Sequence, residues 1–152
     1  MTKRMYIPAM RRDILYLIVE KAVVDSYIDT ENEEEVTGQL KGCFKDDSGF
    51  HFLVTPQGRL VCDRLLQRPA DAATFYNAEG VAVGYIVRQD ETGAVGKIST
   101  AQVETLRTAL LVLRRIFPKA SVKVIKNTTL EKMLVENEEN GVGLTASKSY
   151  KI

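Results

Sequence analysis

The stretch STAQVETLRTALLVLRRIFP, residues 99–118, is the strongest structural signal in this chain. Ser99 followed by Gln102 is a capping-box pattern, in which the hydroxyl accepts from the backbone of the third residue and the amide reaches back. Val103, Leu106, Leu110, Leu113 and Phe117 then recur at spacings of three and four, so they share one face of an α-helix. Pro118 lacks the N–H that a further turn needs and ends the helix. A helix with one apolar stripe must lay it on another element.

The flanking segments supply that element. Downstream, Ser121 to Ile125 reads as a short strand. Upstream, Val81-Ala-Val-Gly-Tyr-Ile-Val87 reads as a central strand, separated from the helix by a Gly-containing loop at Asp90–Gly96. Phe50–Val54 and Arg59–Cys62 read as a hairpin, with Pro56 and Gly58 supplying the turn chemistry. The β-forming run Ile14-Leu-Tyr-Leu-Ile-Val19 suits a buried strand. Thr30 and Glu33 match a second capping box, and Val36 and Leu40 place a short amphipathic helix over about Glu31–Leu40. Lys45–Gly49 is a polar loop, and Leu65–Asn77 is irregular around Pro69. Together these predict an α/β fold, a mixed central sheet of about five strands flanked by helices. One domain spans 14–135, after an N-terminal extension at 1–13 and before a polar tail at 136–152.

Composition narrows the function. Lys and Arg number 21 and Asp and Glu 20, a formal net charge of +1, which gives no electrostatic case for nucleic acid. No run reaches the 18 or so apolar residues of a membrane span. The basic start MTKRMYIPAMRRD lacks the apolar core of a signal peptide, which predicts a cytoplasmic protein or one exported by another route. Cys43 and Cys62 are too few for a disulfide framework and read as small buried hydrophobes. The chain has one histidine, His51, so a histidine-rich metal site is excluded by counting.

From residue 51 onward the order of features is specific. His51-Phe-Leu-Val-Thr-Pro-Gln-Gly-Arg-Leu60 is followed by Arg64, Tyr76-Asn77, Val81-Ala-Val83 and the start of the capped helix. This order resembles the type 2 N-acetylmuramoyl-L-alanine amidases, the family of phage amidase-type lysozymes and peptidoglycan-recognition proteins. The resemblance covers roughly residues 14 to 134. It implies a fold whose active members cleave the amide between muramic acid and the L-alanine of the stem peptide. In them a zinc ion polarises the carbonyl and activates water.

Laid residue by residue on that pattern, the three zinc-ligand positions fall at Glu20, Lys126 and Leu134. The cleft tyrosine falls at Phe50, the loop histidine at Ala72 and the assisting lysine at Lys132. Only one of the three ligand positions carries a competent donor. The resemblance therefore implies no zinc, no cofactor and no catalytic residue. Glu20 and Lys126 are expected to form an ion pair in place of the metal. Tyr76 and Asn77, with Glu20, Phe50 and Lys126, are the candidate ligand contacts, against the simpler reading of Asn77 as a loop-closing side chain. If Phe50 faces the cleft, strand alternation turns His51 away from it, into the packing under the sheet, and a four-residue turn sets His51 opposite Cys62.

Three functions fit. The leading one is an inactive amidase relative that binds peptidoglycan fragments, muramyl peptides or a protein partner through the former cleft. The others are an active amidase with an atypical site and a scaffold-only protein of phage or mobile-element origin. Neither nucleic acid nor membrane is expected as a partner.

Overall fold

The computed structural model describes residues 12–42, 45–72 and 75–139, with side chains to Leu134. Cys43 and most of the terminal segments, 1–11 and 140–152, lie outside the described residues. Five strands form one sheet: β1 Tyr16–Asp25, β2 Phe52–Val54, β3 Leu60–Cys62, β4 Gly80–Gln89 and β5 Ser121–Val124. Their order across the sheet is β3-β2-β4-β1-β5. β1 pairs in parallel with both β4 and β5, β2 pairs in parallel with β4, and the β2–β3 hairpin is antiparallel. The expected mixed five-stranded α/β sheet is what forms.

Among the described residues three α-helices flank it: α1 Glu33–Lys41, α2 Thr100–Ile116 and α3 Thr128–Glu139. α2 lies against one face. Its Val103, Leu106, Leu110, Leu113 and Phe117 pack with Leu17, Val19, Val81, Val83 and Tyr85, as the spacing predicts. Each buried aliphatic of this kind contributes about 1.5–3 kcal/mol. The opposite face carries Ile18, Ala22, Val24, Leu53, Ala82 and Ile86, covered by α1 through Val36 and by the 70–76 loop through Ala70, Ala72 and Tyr76. β4 is the central strand, and its first eight residues are all buried.

Several expectations shift. β1 does not stop at Val19 but continues to Asp25, because ten consecutive residues pair with β4, carrying Glu20 and Lys21 inside the strand. α1 is capped by Asn32, whose side chain accepts from the Glu35 backbone at 3.1 Å, and not by Thr30, which is buried. Asn serves that position as well as Thr, and it sits two residues nearer the apolar run. Cys62 is exposed, on the same face of the edge strand β3 as the exposed Leu60, while Val61 between them points the other way and is buried. α3 was not anticipated. Asn127 caps it by accepting from the Leu130 N–H at 2.9 Å, and Leu130 and Leu134 complete the α2 face. It runs past residue 136, where the sequence suggests a loose tail. Among the described residues no helix is long and apolar enough to cross a membrane.

The capping box is also the joint between layers. Ser99 Oγ accepts from the Gln102 N–H at 3.0 Å, and Gln102 Oε1 accepts from the Ser99 N–H at 2.9 Å. Gln102 Nε2 then donates to the carbonyls of Val54 (3.0 Å) and Ile86 (2.8 Å), one on β2 and one on β4. Gln102→Ala strands these backbone groups in a site that is 1 % exposed. The expected cost is about 2–4 kcal/mol, read as a fall in the urea midpoint without change of slope.

Candidate functional site

Glu20 projects from the middle of β1 onto the face opposite α2, in register with Gly84 of β4. Gly84 has no side chain, and the ring of Phe50 occupies the space above it. A Cβ built there would lie 2.8 Å from Phe50 Cδ1 and 3.1 Å from Leu53 Cδ2. Phe50 is 7 % exposed, so it forms the apolar wall of the site as well as part of the core. Lys126 follows β5 by two residues and adopts φ +53°, a left-handed backbone uncommon for a side chain of its length.

These three positions come together, with a fourth group that sequence reading missed. Glu20 feels the positive charges of Lys126, Lys45 and Lys21 in that order, yet burial is the stronger influence and raises its pKa above the usual carboxylate range. Lys45 donates to the Asp71 carbonyl at 2.9 Å, which holds its ammonium on the rim of the site. A lysine in a polar loop gives no sequence signal for such a place. The expected Glu20–Lys126 ion pair does not form. The two side chains do not close to 4.0 Å, and Glu20 Oε1 is buried without a hydrogen-bond partner. Lys126 takes its positive φ between the end of β5 and Asn127, which caps α3. Asn127 Nδ2 also donates to the Tyr85 hydroxyl at 3.0 Å. Burial raises the pKa of that hydroxyl, the Asn127 bond opposes the rise, and the Glu20 charge adds to it.

The other expected positions separate from this group. Leu134 is fully buried against α2 on the other face of the sheet. Lys132 is exposed on α3, and Ala72 is a buried methyl in the cluster that includes Phe50, with no polar group to offer the site. Asn77 is spent on its own loop: its Oδ1 accepts from the Ala72 N–H at 3.3 Å and its Nδ2 donates to the Ala72 carbonyl. Tyr76 packs on Tyr16 with ring centroids 4.5 Å apart, and the Lys123 ammonium lies 5.8 Å from the Tyr16 ring and 5.6 Å from the Tyr76 ring. Tyr16 and Lys123 were not singled out from the sequence, because cross-strand neighbours on β1 and β5 are distant in the chain. Among the described residues no three His, Cys, Asp or Glu side chains cluster as a metal site requires.

His51 is fully buried and outside the site, as expected, but alternation is not the reason. β2 begins at Phe52, so residues 50 and 51 precede the strand. Cys62 pairs with Phe52, which leaves His51 bonded to the backbone of Asp63 instead. The ring replaces a missing rung of the sheet: the Ala82 N–H donates to Nδ1 at 3.0 Å. That bond puts the ring hydrogen on Nε2, which donates to the Arg68 carbonyl at 2.8 Å.

No protein-family model matches the sequence, and no curated protein sequence matches it either. Solved structures do. Peptidoglycan recognition protein SA of Drosophila superposes with a TM-score of 0.59 at 14 % identity, over 76 % of this chain and 69 % of that one. The endolysin N-acetylmuramoyl-L-alanine amidase LysCS of Clostridium intestinale gives 0.58 at 16 % identity, over 78 % and 73 %. A complex of peptidoglycan recognition protein ectodomains with tracheal cytotoxin gives 0.56 at 16 % identity, over 78 % and 74 %. The fold is therefore that of the amidases and peptidoglycan recognition proteins.

Burial and the nearby Arg12 and Arg64 charges lower the His51 pKa from 6.5 to about 4, against the pull of the Arg68 carbonyl and Asp47. Folding then favours the neutral ring. This contribution is complete above pH 6.5 and is lost as pH falls from 6.5 to about 4, where the unfolded chain binds the proton that the folded one excludes. Linkage puts the loss at about 3 kcal/mol. Subtracting the pH–stability curve of His51→Gln from that of the wild type isolates it. A flat difference over that window would refute the assignment.

Proposed function

We propose that this protein binds peptidoglycan fragments of the muramyl-peptide class through the face that carries Glu20, Phe50 and Lys126, and that it does not cleave them. The observation that carries this reading is the donor set. Of the three positions expected to hold zinc, Glu20 offers one carboxylate, Lys126 offers an ammonium that repels a cation, and Leu134 is a hydrocarbon sealed in the core on the far face. These residues do not fit a zinc ion, whose sites need three protein ligands of nitrogen, oxygen or sulfur. The one histidine is tied up on both ring nitrogens by backbone groups, so it is no general base for a hydroxyl or thiol nucleophile. The similarity to amidases and recognition proteins supports the ligand class by fold analogy.

The groups on the face suit recognition. Lys45 and Lys126 flank a desolvated carboxyl whose Oε1 lacks a donor. A ligand hydroxyl or amide N–H satisfies that oxygen, and ligand carboxylates meet the lysines. The tilted Tyr16–Tyr76 pair offers aromatic surface further along β1, where the apolar side of a sugar ring can rest. A protein partner would use the same groups less fully, since the site's central acceptor is a single recessed oxygen.

Titration calorimetry with a muramyl tripeptide tests the reading. Binding is expected in the wild type, with Glu20→Gln and Lys126→Asn each weakening it about tenfold, the loss of one hydrogen bond to a charged group. Asn tolerates the left-handed backbone at 126, so Lys126→Asn is expected to leave the melting temperature unchanged or raise it. Absence of heat with any muramyl peptide would favour the scaffold-only reading. Release of stem peptides from purified sacculi, stopped by chelator and restored by zinc, would establish an active amidase and overturn the proposal.

A further inference from the structure

A groove of about 510 Å³ runs along α2 on the side of the sheet away from Glu20. Phe52 lines its floor, Leu60 and Leu66 form the hairpin wall, and α2 forms the other wall. Leu60, Val112 and Ile116 are 43, 50 and 38 % exposed, and they form one patch rather than scattered surface positions. The helix wall is a second stripe beside the one buried on the sheet. Thr105, Thr108, Ala109, Val112 and Ile116 recur at spacings of three and four and face the groove.

This stripe is graded along its length in two ways. Its first half carries small side chains, Thr105, Thr108 and Ala109, and its second half the bulkier Val112 and Ile116. Its outer edge changes sign: Glu104 stands at the start and Arg115 near the end. Three helical turns separate the two, so they lie on nearly the same side of α2, about 16 Å apart along its axis. Both are exposed, and among the described residues neither has an ion-pair partner.

We propose that the groove is a homodimer interface, in which α2 packs antiparallel on α2 of a second copy. Charge and bulk agree on that occupant. A two-fold axis between Ala109 and Leu110 sets Glu104 of each copy level with Arg115 of the other. The same axis sets Val112 of each copy over the hollow that Thr105, Thr108 and Ala109 leave on the other. The ridge of Val112 and Ile116 then enters the facing groove, against Leu60 and Leu66, as packed helices interdigitate. A parallel pair would set Glu104 on Glu104 and Val112 on Val112. An unrelated apolar partner meets the same walls, but only this chain carries both gradients ready to be reversed. A two-fold contact is closed, so association stops at two copies. The interface leaves the Glu20 face of each copy open, and it does not depend on the ligand proposed for that face.

Sedimentation velocity on the full-length chain, from micromolar to near-millimolar concentration at low ionic strength, tests this. A species of twice the chain mass is expected to grow in with concentration. Val112→Asp is expected to weaken it about tenfold or more, because it puts a carboxylate into both halves of the apolar contact. Glu104→Arg and Arg115→Glu, at exposed positions, are each expected to weaken it about tenfold, since two attractive contacts become repulsive. The double variant Glu104→Arg/Arg115→Glu exchanges the signs and restores the pairs. It is expected to return to within about twofold of the wild type, a rescue that a merely structural role would not give. The charge variants decide the matter on their own should Val112→Asp not fold. A chain that stays monomeric, assembly beyond two copies, a dimer that folded Val112→Asp leaves intact, single charge variants that associate like the wild type, or a double variant as weak as the single ones would each overturn the proposal.

Discussion

One buried side chain ties the layers of this protein together. The Gln102 amide closes the cap of α2 and bonds the main chain of both β2 and β4. Val54 ends β2, and Ile86 is one residue beyond the last position of β4 that β2 pairs, so both carbonyls fall where that pairing stops, and leaving them dry and unpaired costs free energy. A helix that began one residue later or turned by 100° could not supply the donor. The amide therefore sets the depth and rotation of α2. The apolar stripe from Val103 to Phe117 adds area to a geometry that Gln102 specifies. Ser99 Oγ and Thr105 Oγ1 extend the same joint to the Pro56 and Gly58 carbonyls, so the hairpin turn is held as well.

That joint leaves the opposite face free to carry chemistry. There the decisive balance is between burial and charge at Glu20. Three lysines favour its anion, yet desolvation outweighs them. A direct pair with Lys126 would restore the balance, but the positive φ at 126 follows the route of the chain from β5 into the cap of α3. Backbone geometry thus takes precedence over an ion pair whose net value would be small. The result is a recessed acceptor with three lysine charges around it, the arrangement on which the proposed binding rests.

The places where sequence reading and structure part share a cause. The extent of β1 beyond Val19 depends on β4 lying alongside for ten residues. The exposure of Cys62 depends on which face of β3 the rest of the fold covers, since Val61 is buried and Leu60 and Cys62 are not. The turning-in of His51 depends on the Ala82 N–H needing an acceptor 31 residues away. None of these partners is visible in a local window. The shift of the α1 cap from Thr30 to Asn32 is different, since both residues cap well and the local pattern did not choose between them. The Asn127 cap and the Leu130–Leu134 spacing of α3 are local signals that the sequence carries.

The sequence by itself determined the elements whose signals are periodic or stereochemical. These are the capped α2 and its buried stripe, the hairpin around Pro56 and Gly58, the central strand at 81–87 and the α/β class. It also determined the inventory: a single histidine and a leucine at position 134 bound the chemistry before any folding. Tertiary structure alone decided which side chains meet. It put Lys45 beside Glu20, Phe50 over Gly84 and Tyr16 against Tyr76, and it kept Glu20 from Lys126. Periodicity reports which face a residue shares with its neighbours a turn away. Contacts across a sheet are set by register between residues from 31 (Phe52 and Val83) to 105 (Tyr16 and Ser121) positions apart, and that register is fixed only when buried hydrogen-bonding groups find their partners.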